Sequence, residues 1–145
     1  KMKIAILSVG KLKNKNISIM CNDFKHCISF FCNVEEIIIK DTDNKTENQK
    51  IVNYLQKDSS FKIALSEEGK KLSSVEFSRI FLKNKHQKLT FIIGGPEGLT
   101  PESKKKSNQI LSLSSMTYTH EMAKMILLEQ IYRATTILQN KKYHK

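Results

Sequence analysis

Five short apolar or β-branched runs, at residues 2–9, 34–40, 61–65, 89–93 and 109–113, alternate along the chain with stretches of helical periodicity. No other feature restricts the fold so strongly. Each run is bounded by turn residues, the pattern of parallel strands buried on both faces. Between and after them the spacing predicts helices near 16–32, 45–58, 73–85 and 101–108, and a longest one at 120–139. The expected fold is an α/β sandwich with a mainly parallel sheet, a single domain over residues 1–145 without linker or repeat. Ligands of such sheets bind beyond the carboxyl ends of the strands. Attention therefore falls on the loops after the third, fourth and fifth runs.

Helix starts are marked locally. Ser73-Ser74-Val75-Glu76 has the form of a capping box, with Ser73 accepting the Glu76 N–H and Glu76 reaching back. Thr100-Pro101-Glu102 sets a capping hydroxyl before a proline at the first helical position, with an acid near the positive helix end. Thr119 is placed to cap the last helix, with Glu121 in its first turn. Glu129 and Arg133, four apart in that helix, read as an exposed pair that adds a few tenths of a kcal/mol.

Composition narrows the class. Hydrophobic residues form 39% of the 145, too many for a disordered basic tail. No apolar run reaches the ~18–20 residues of a membrane-spanning helix, and the opening segment lacks the pattern of a secretion signal, so it reads as a buried strand. Lys and Arg number 25 against 14 Asp and Glu, a formal charge of +11 that attracts polyanions, either nucleic acid or an anionic membrane surface. Cys21, Cys27 and Cys32 are an odd set, which disfavours a disulfide scaffold and suits a reducing cytosol. With His26 they do not have zinc spacing, and they read as small apolar residues on a helix; no metal is expected.

The loop after the fourth run, Gly94-Gly95-Pro96-Glu97-Gly98-Leu99-Thr100-Pro101, holds three of the chain's five glycines. It fits neither the dinucleotide template nor the P-loop, which needs a following Lys-Ser/Thr. It is either a tight strand-to-helix turn or a place where backbone approaches a ligand. The loop after the fifth run, residues 112–120, is dense in hydroxyls and ends at His120, read as structural. It is either a long cap or a polar ligand site, with Met116 and Tyr118 adding apolar contact. Leu65 to Lys70 brings acids and a glycine to the same sheet end. The closing Lys141-Lys142-Tyr143-His144-Lys145 is either a frayed terminus or an RNA contact that reaches a partner subunit's site. Lys104, Lys105 and Lys106 are equally a solvated helix face or part of an RNA surface.

These segments in order resemble one family. Ile92-Ile93-Gly94-Gly95-Pro96-Glu97-Gly98-Leu99-Thr100, Leu111-Ser112-Leu113-Ser114-Ser115-Met116-Thr117, His120, Leu127-Leu128-Glu129-Gln130-Ile131-Tyr132-Arg133-Ala134 and Tyr143-His144-Lys145 look like the ribosomal RNA large-subunit methyltransferase H family, of the SPOUT class. The resemblance is strongest over residues 61–145. It implies a C-terminal trefoil knot, which periodicity does not show and general topology rules disfavour. It further implies a homodimer with its active site between subunits. The implied reaction uses S-adenosyl-L-methionine to methylate N3 of a pseudouridine in 23S rRNA on assembled ribosomes in the cytoplasm.

By position the resemblance assigns cofactor contacts to Leu65, Gly95, Ser114, Ser115, Met116, Thr117, Tyr118 and Thr119. It places Tyr143 and His144 as catalytic residues at the target base. His144 is a candidate general base, since a free imidazole changes charge near pH ~6.5. Arg133 and Lys145 become RNA or dimer contacts, and Glu129 a support of the fold. Ser66 stands where the family commonly has an acid, and Thr119 where some members have proline. Two other classes compete: a non-catalytic ribosome- or RNA-binding protein on the same fold, and a nucleotide-binding regulatory module. The hydroxyl-rich second loop counts against the latter.

Overall fold

The computed structural model describes residues 1–145. Its strands are β1 (Met2–Val9), β2 (Cys32–Ile39), β3 (Phe61–Lys71), β4 (Leu89–Ile93) and β5 (Gln109–Ser112). Its helices are α1 (Lys15–Ser29), α2 (Asn44–Lys57), α3 (Ser74–Lys83), α4 (Pro101–Lys105) and α5 (His120–Leu138). The strands form one sheet in the order β2-β1-β4-β3-β5, every pairing parallel. The mainly parallel α/β sandwich is thus borne out.

Alternation along β1 and β4 separates two cores. Ile4, Ile6, Phe91 and Ile93 point to the layer of α1, α3 and α5, where Ile28, Phe77, Phe81, Leu127, Leu128 and Ile131 bury the largest apolar surface. Leu7, Val9 and Ile92 point the other way, onto Ile51 and Leu55 of α2. In the first core Phe77, Phe81 and Phe91 make a cluster with centroids 5.4–6.2 Å apart.

Several boundaries differ from those the sequence predicts, each for a reason that lies elsewhere in the chain. α1 stops at Ser29, and β2 begins at Cys32 because Cys32 and Asn33 pair with Met2 and Lys3. β3 runs six residues past Leu65: after the loop of residues 66–69, Lys70 and Lys71 resume pairing with Leu111 and Ser112. Leu111 also pairs with Leu65, so residues 66–69 stand out from the sheet as a bulge. α4 ends at Lys105 because Asn108 clamps the edge of β3, its N–H donating to the Lys62 carbonyl and its Oδ1 accepting the Lys62 N–H, both at 2.8 Å. β5 ends one residue short, at Ser112.

The expected caps form. Ser73 Oγ accepts the Glu76 N–H at 3.1 Å and Glu76 Oε1 accepts the Ser73 N–H at 2.9 Å. Thr100 and Thr119 cap α4 and α5 through the N–H groups of Ser103 and Met122.

Cys21 and Cys32 are buried, while Cys27 is exposed. Burial pushes the Cys21 thiol up, and the Cys32 thiol up to about 11. Since the thiolate is the reactive form, a maleimide at neutral pH is expected to label Cys27 alone in the folded protein and all three cysteines in denaturant. Mass spectrometry of labelled peptides checks this.

Candidate active site

The carboxyl ends of β1, β3, β4 and β5 surround a cleft of about 1270 Å³. Its walls are the loop before α1, the β3 bulge, the glycine-rich loop after β4, and the hydroxyl-rich loop that leads into α5. This is where a parallel sheet offers loops and helix N-termini to a ligand.

Local hydrogen bonds hold these walls. The glycine-rich loop turns tightly, with the Gly98 N–H donating to the Gly95 carbonyl at 2.9 Å. Asn48 of α2, 3% exposed, fastens this loop from below. Its Oδ1 accepts the Thr100 N–H at 2.9 Å and the Ser103 hydroxyl at 2.8 Å, while its Nδ2 donates to the Gly98 carbonyl at 3.3 Å. Asn44 Nδ2 donates to the same carbonyl at 3.0 Å. Replacing Asn48 by Ala is expected to cost about 1–3 kcal/mol, since the Thr100 N–H and the buried Ser103 hydroxyl lose their acceptor and Ser103 Oγ keeps only Thr100 Oγ1, at 3.3 Å. Chemical denaturation of the two proteins measures that difference.

Other contacts set the charge of the cleft. Glu121 accepts the N–H groups of Asn14 and Lys13, each at 3.1 Å, and these bonds hold its carboxyl below the usual range. They tie the loop after β1 to the first turn of α5. Lys104 pairs with Glu68 of the bulge at 2.6 Å. Beneath Gly95 the Glu47 carboxylate accepts the Thr42 N–H at 2.9 Å, and burial, with Asp41 and Asp43 alongside, pushes its carboxyl up. On the hydroxyl-rich side, Ser114 Oγ accepts the Met116 N–H at 3.0 Å and the Ser112 hydroxyl donates to the Ser114 carbonyl at 2.9 Å.

Of the residues assigned to the cofactor, Leu65, Gly95, Ser114, Met116, Thr117, Tyr118 and Thr119 all line this cleft; Ser115 is exposed in the same loop but does not line it. Ser66 and His120 also face it. Met116 is 73% exposed at the rim, with Tyr118 and Met122 near it in sequence and also exposed.

The terminal residues gather elsewhere. Glu129 Oε2 accepts the Tyr143 hydroxyl and Arg133 Nη2, both at 2.7 Å. Arg133 Nη1 lies 3.1 Å from His144 Nδ1, and the guanidinium sits 4.8 Å from the Tyr143 ring centre. The Tyr143 ring packs edge-on against Tyr132 at 4.8 Å. Burial, and then the bond to Glu129, push the Tyr143 phenol up to about 12. Lys145 follows, exposed. None of Arg133, Tyr143, His144 and Lys145 lines the cleft. Arg133 is thirteen residues along α5 from His120, about 20 Å at the helical rise.

The Glu129–Arg133 pair is therefore more than a helix-surface ion pair: it is about three-quarters buried and fixes the tail. Spacing alone shows the pair but not the tail that folds back over it. Asn48 carries no signal in sequence, because the loop groups it fastens are fifty or more residues away.

Comparison with known proteins agrees with this geometry. The family described as "Predicted SPOUT methyltransferase" matches residues 2–144. The "Ribosomal RNA large subunit methyltransferase H" of Acholeplasma laidlawii is 42% identical, over 99% of this chain and 100% of that protein. Among solved structures, a probable methylase family protein from Haemophilus influenzae shares the fold with a TM-score of 0.57 and 16% identity, over 99% of this chain and 70% of that one. The putative methyltransferase Lpg2936 from Legionella pneumophila, solved with bound S-adenosylmethionine, has a TM-score of 0.50 and 11% identity, over 92% of this chain and 66% of that one. With a parallel sheet whose loops form a cleft, a family model matched over residues 2–144 and a relative matched along its whole length, the chain belongs to the SPOUT methyltransferase family.

Proposed function

We propose that this protein binds S-adenosyl-L-methionine in the cleft and methylates N3 of a pseudouridine in 23S rRNA, as a homodimer acting on ribosomes in the cytoplasm. The observation that carries the reading is the cleft itself. Its volume exceeds the ~300–1,000 Å³ usual for small-molecule sites, and Leu65, Gly95 and the 114–119 loop present apolar surface, backbone and hydroxyls in it together. These donors and apolar walls fit an adenosyl amino acid. When bound, the cofactor supplies a methyl group already activated on a sulfonium.

The chain's own part is then alignment and exclusion of water. Gly95 and Leu65 line the cleft from the β4 and β3 ends, and Ser114 and residues 116–119 line it from the loop that leads into α5. The terminal cluster holds Tyr143 and His144 on Glu129 and Arg133, which lie six and ten residues along α5 from the cleft-lining Ala123, roughly 9–15 Å at the helical rise. That separation supports a shared site, in which one subunit's tail meets the other's cleft. Exposed Met116, Tyr118 and Met122 offer apolar surface to such a partner. The charge of +11 suits an RNA substrate without a separate RNA-binding domain. The same reading has the segment from β5 to α5 threaded as a trefoil knot. A chain pulled from both ends would then stop short of its full contour length.

Labelled methyl transfer to ribosomes that lack the modification tests the function. Label mapped to a large-subunit pseudouridine is the expected result. Cofactor binding without transfer would move the substrate elsewhere. Neither binding nor transfer would favour a non-catalytic RNA-binding protein.

A further inference from the structure

The contact between Arg133 and His144 constrains which ring nitrogen carries a proton. A guanidinium has only donors, so Nδ1, 3.1 Å from Arg133 Nη1, must accept. Nδ1 then holds a lone pair, and the single proton of the neutral ring sits on Nε2. The guanidinium itself is not free to turn away. Its Nη2 is bonded to Glu129 Oε2 at 2.7 Å, Nε approaches Glu129 Oε1 at 3.4 Å, and its face lies over Tyr143. Tyr143 is anchored to the same carboxylate and packed edge-on against Tyr132. Glu129 thus orients Arg133, Arg133 orients the imidazole, and Nε2–H is the atom left to face a substrate.

We propose that His144 acts on the target base as a hydrogen-bond donor through Nε2–H, not as its general base, with Arg133 and Glu129 as positioning residues. This rests on the reading above, that the tail meets a pseudouridine in the partner's cleft. The imide N3–H gives its proton to water, and the charge left on N3 spreads onto the flanking carbonyl oxygens. Nε2–H donates to one of those oxygens and stabilises the anion. The N3 electron pair then forms the bond to the methyl carbon as the carbon–sulfur bond breaks, and the bonding pair of that broken bond leaves with sulfur, which becomes a neutral thioether. A ring whose Nδ1 is occupied and whose Nε2 is protonated has no lone pair to offer the N3 proton.

Two readouts test this in the full-length protein. The first is a two-bond proton–nitrogen correlation spectrum of nitrogen-15-labelled enzyme at neutral pH, with the His144 signals assigned by their loss in His144→Gln. The Nε2–H pattern is expected in the wild type, and a mixture of tautomers in Arg133→Lys, which keeps the charge but cannot serve Glu129 and His144 with one planar fork. A dominant Nδ1–H pattern in the wild type would overturn the proposal. The second is methyl transfer to unmodified ribosomes. A glutamine amide can donate from about the place of Nε2 but cannot take up a proton. His144→Gln is expected within about tenfold of wild type, and His144→Ala about 10²–10³-fold down, as for the loss of an oxyanion donor. Gln as inactive as Ala would also overturn it. Wild-type enzyme inactive on ribosomes would instead refute the assigned reaction, and the spectrum would still decide the tautomer.

Discussion

Replacing Glu36 by Ala is expected to destabilise the protein by about 3–5 kcal/mol, the cost of leaving one member of a buried ion pair alone. Glu36 is held between Lys25 of α1 and Lys124 of α5. Lys124 is only 4% exposed, bonded to Glu36 Oε2 at 2.9 Å and to Ser8 Oγ at 3.2 Å. Without the carboxylate its ammonium has one neutral hydroxyl and no route to water. Lys25, more exposed, can turn outward. The network also fastens β2, an edge strand, to the helices that cover the main core. Burial alone would push the Glu36 carboxyl up, but the bonds from Lys25 and Lys124 outweigh it and hold it below its ordinary value. Its stabilising contribution is therefore complete above the unfolded carboxylate range, ~4.3, and is lost as pH falls through the lower folded value. Glu36→Ala should lose stability at neutral pH and much less in acid. A denaturation difference below about 1 kcal/mol at pH 7 would mean that Lys124 finds another partner.

The second large effect concerns the glycine-rich loop. A Cβ on Gly94 would stand 2.6 Å from the Gly98 carbonyl carbon and 2.9 Å from its oxygen, a backbone clash that no rotamer relieves. Gly94→Ala is expected to open the turn, at about 1–3 kcal/mol of stability and about a 100-fold loss of cofactor affinity, equivalent to ~2.7 kcal/mol. Gly98 provides the comparison. It has positive φ, +79°, yet nothing lies within 4 Å of its Cβ position. Gly98→Ala should cost only about 1 kcal/mol of backbone strain and leave affinity within about tenfold. Calorimetric titration with S-adenosylmethionine compares them, and equal losses would show that backbone freedom, not close approach, sets the loop.

What was legible in the sequence was local. Strand β1 is apolar from Ile4 to Leu7 and β4 is apolar but for Thr90, and the Ser73, Thr100 and Thr119 caps are each decided within four residues. The glycine and hydroxyl loops were legible as a pair because strand ends in a parallel sheet converge. The far half of β3 was not: Lys70 and Lys71 are polar, and only their pairing with β5 makes them strand. The same holds for the Asn108 clamp, for Asn48 and for the Glu36 network, whose partners are distant in sequence. Tyr143 and His144 stood out through resemblance, but that Glu129 fixes them takes three dimensions to see.

The central claim is that a cleft on one subunit and the Tyr143–His144 tail of another make one active site. Mixing two impaired variants, with S-adenosylmethionine kept well below the weakened affinity, tests it most directly: Gly94→Ala, which binds the cofactor about 100-fold more weakly, and His144→Ala, which lacks the tail's donor. After the subunits exchange, mixed dimers carry one intact cleft that faces one intact tail. The account predicts that methyl transfer to unmodified ribosomes returns in the mixture, up to about a quarter of the wild-type rate, from statistical pairing in which half the dimers are mixed and each has one working site. Each variant alone should stay about 100-fold or more below the wild-type rate. A mixture as inactive as its parts, with subunit exchange verified by mass, would contradict a shared site.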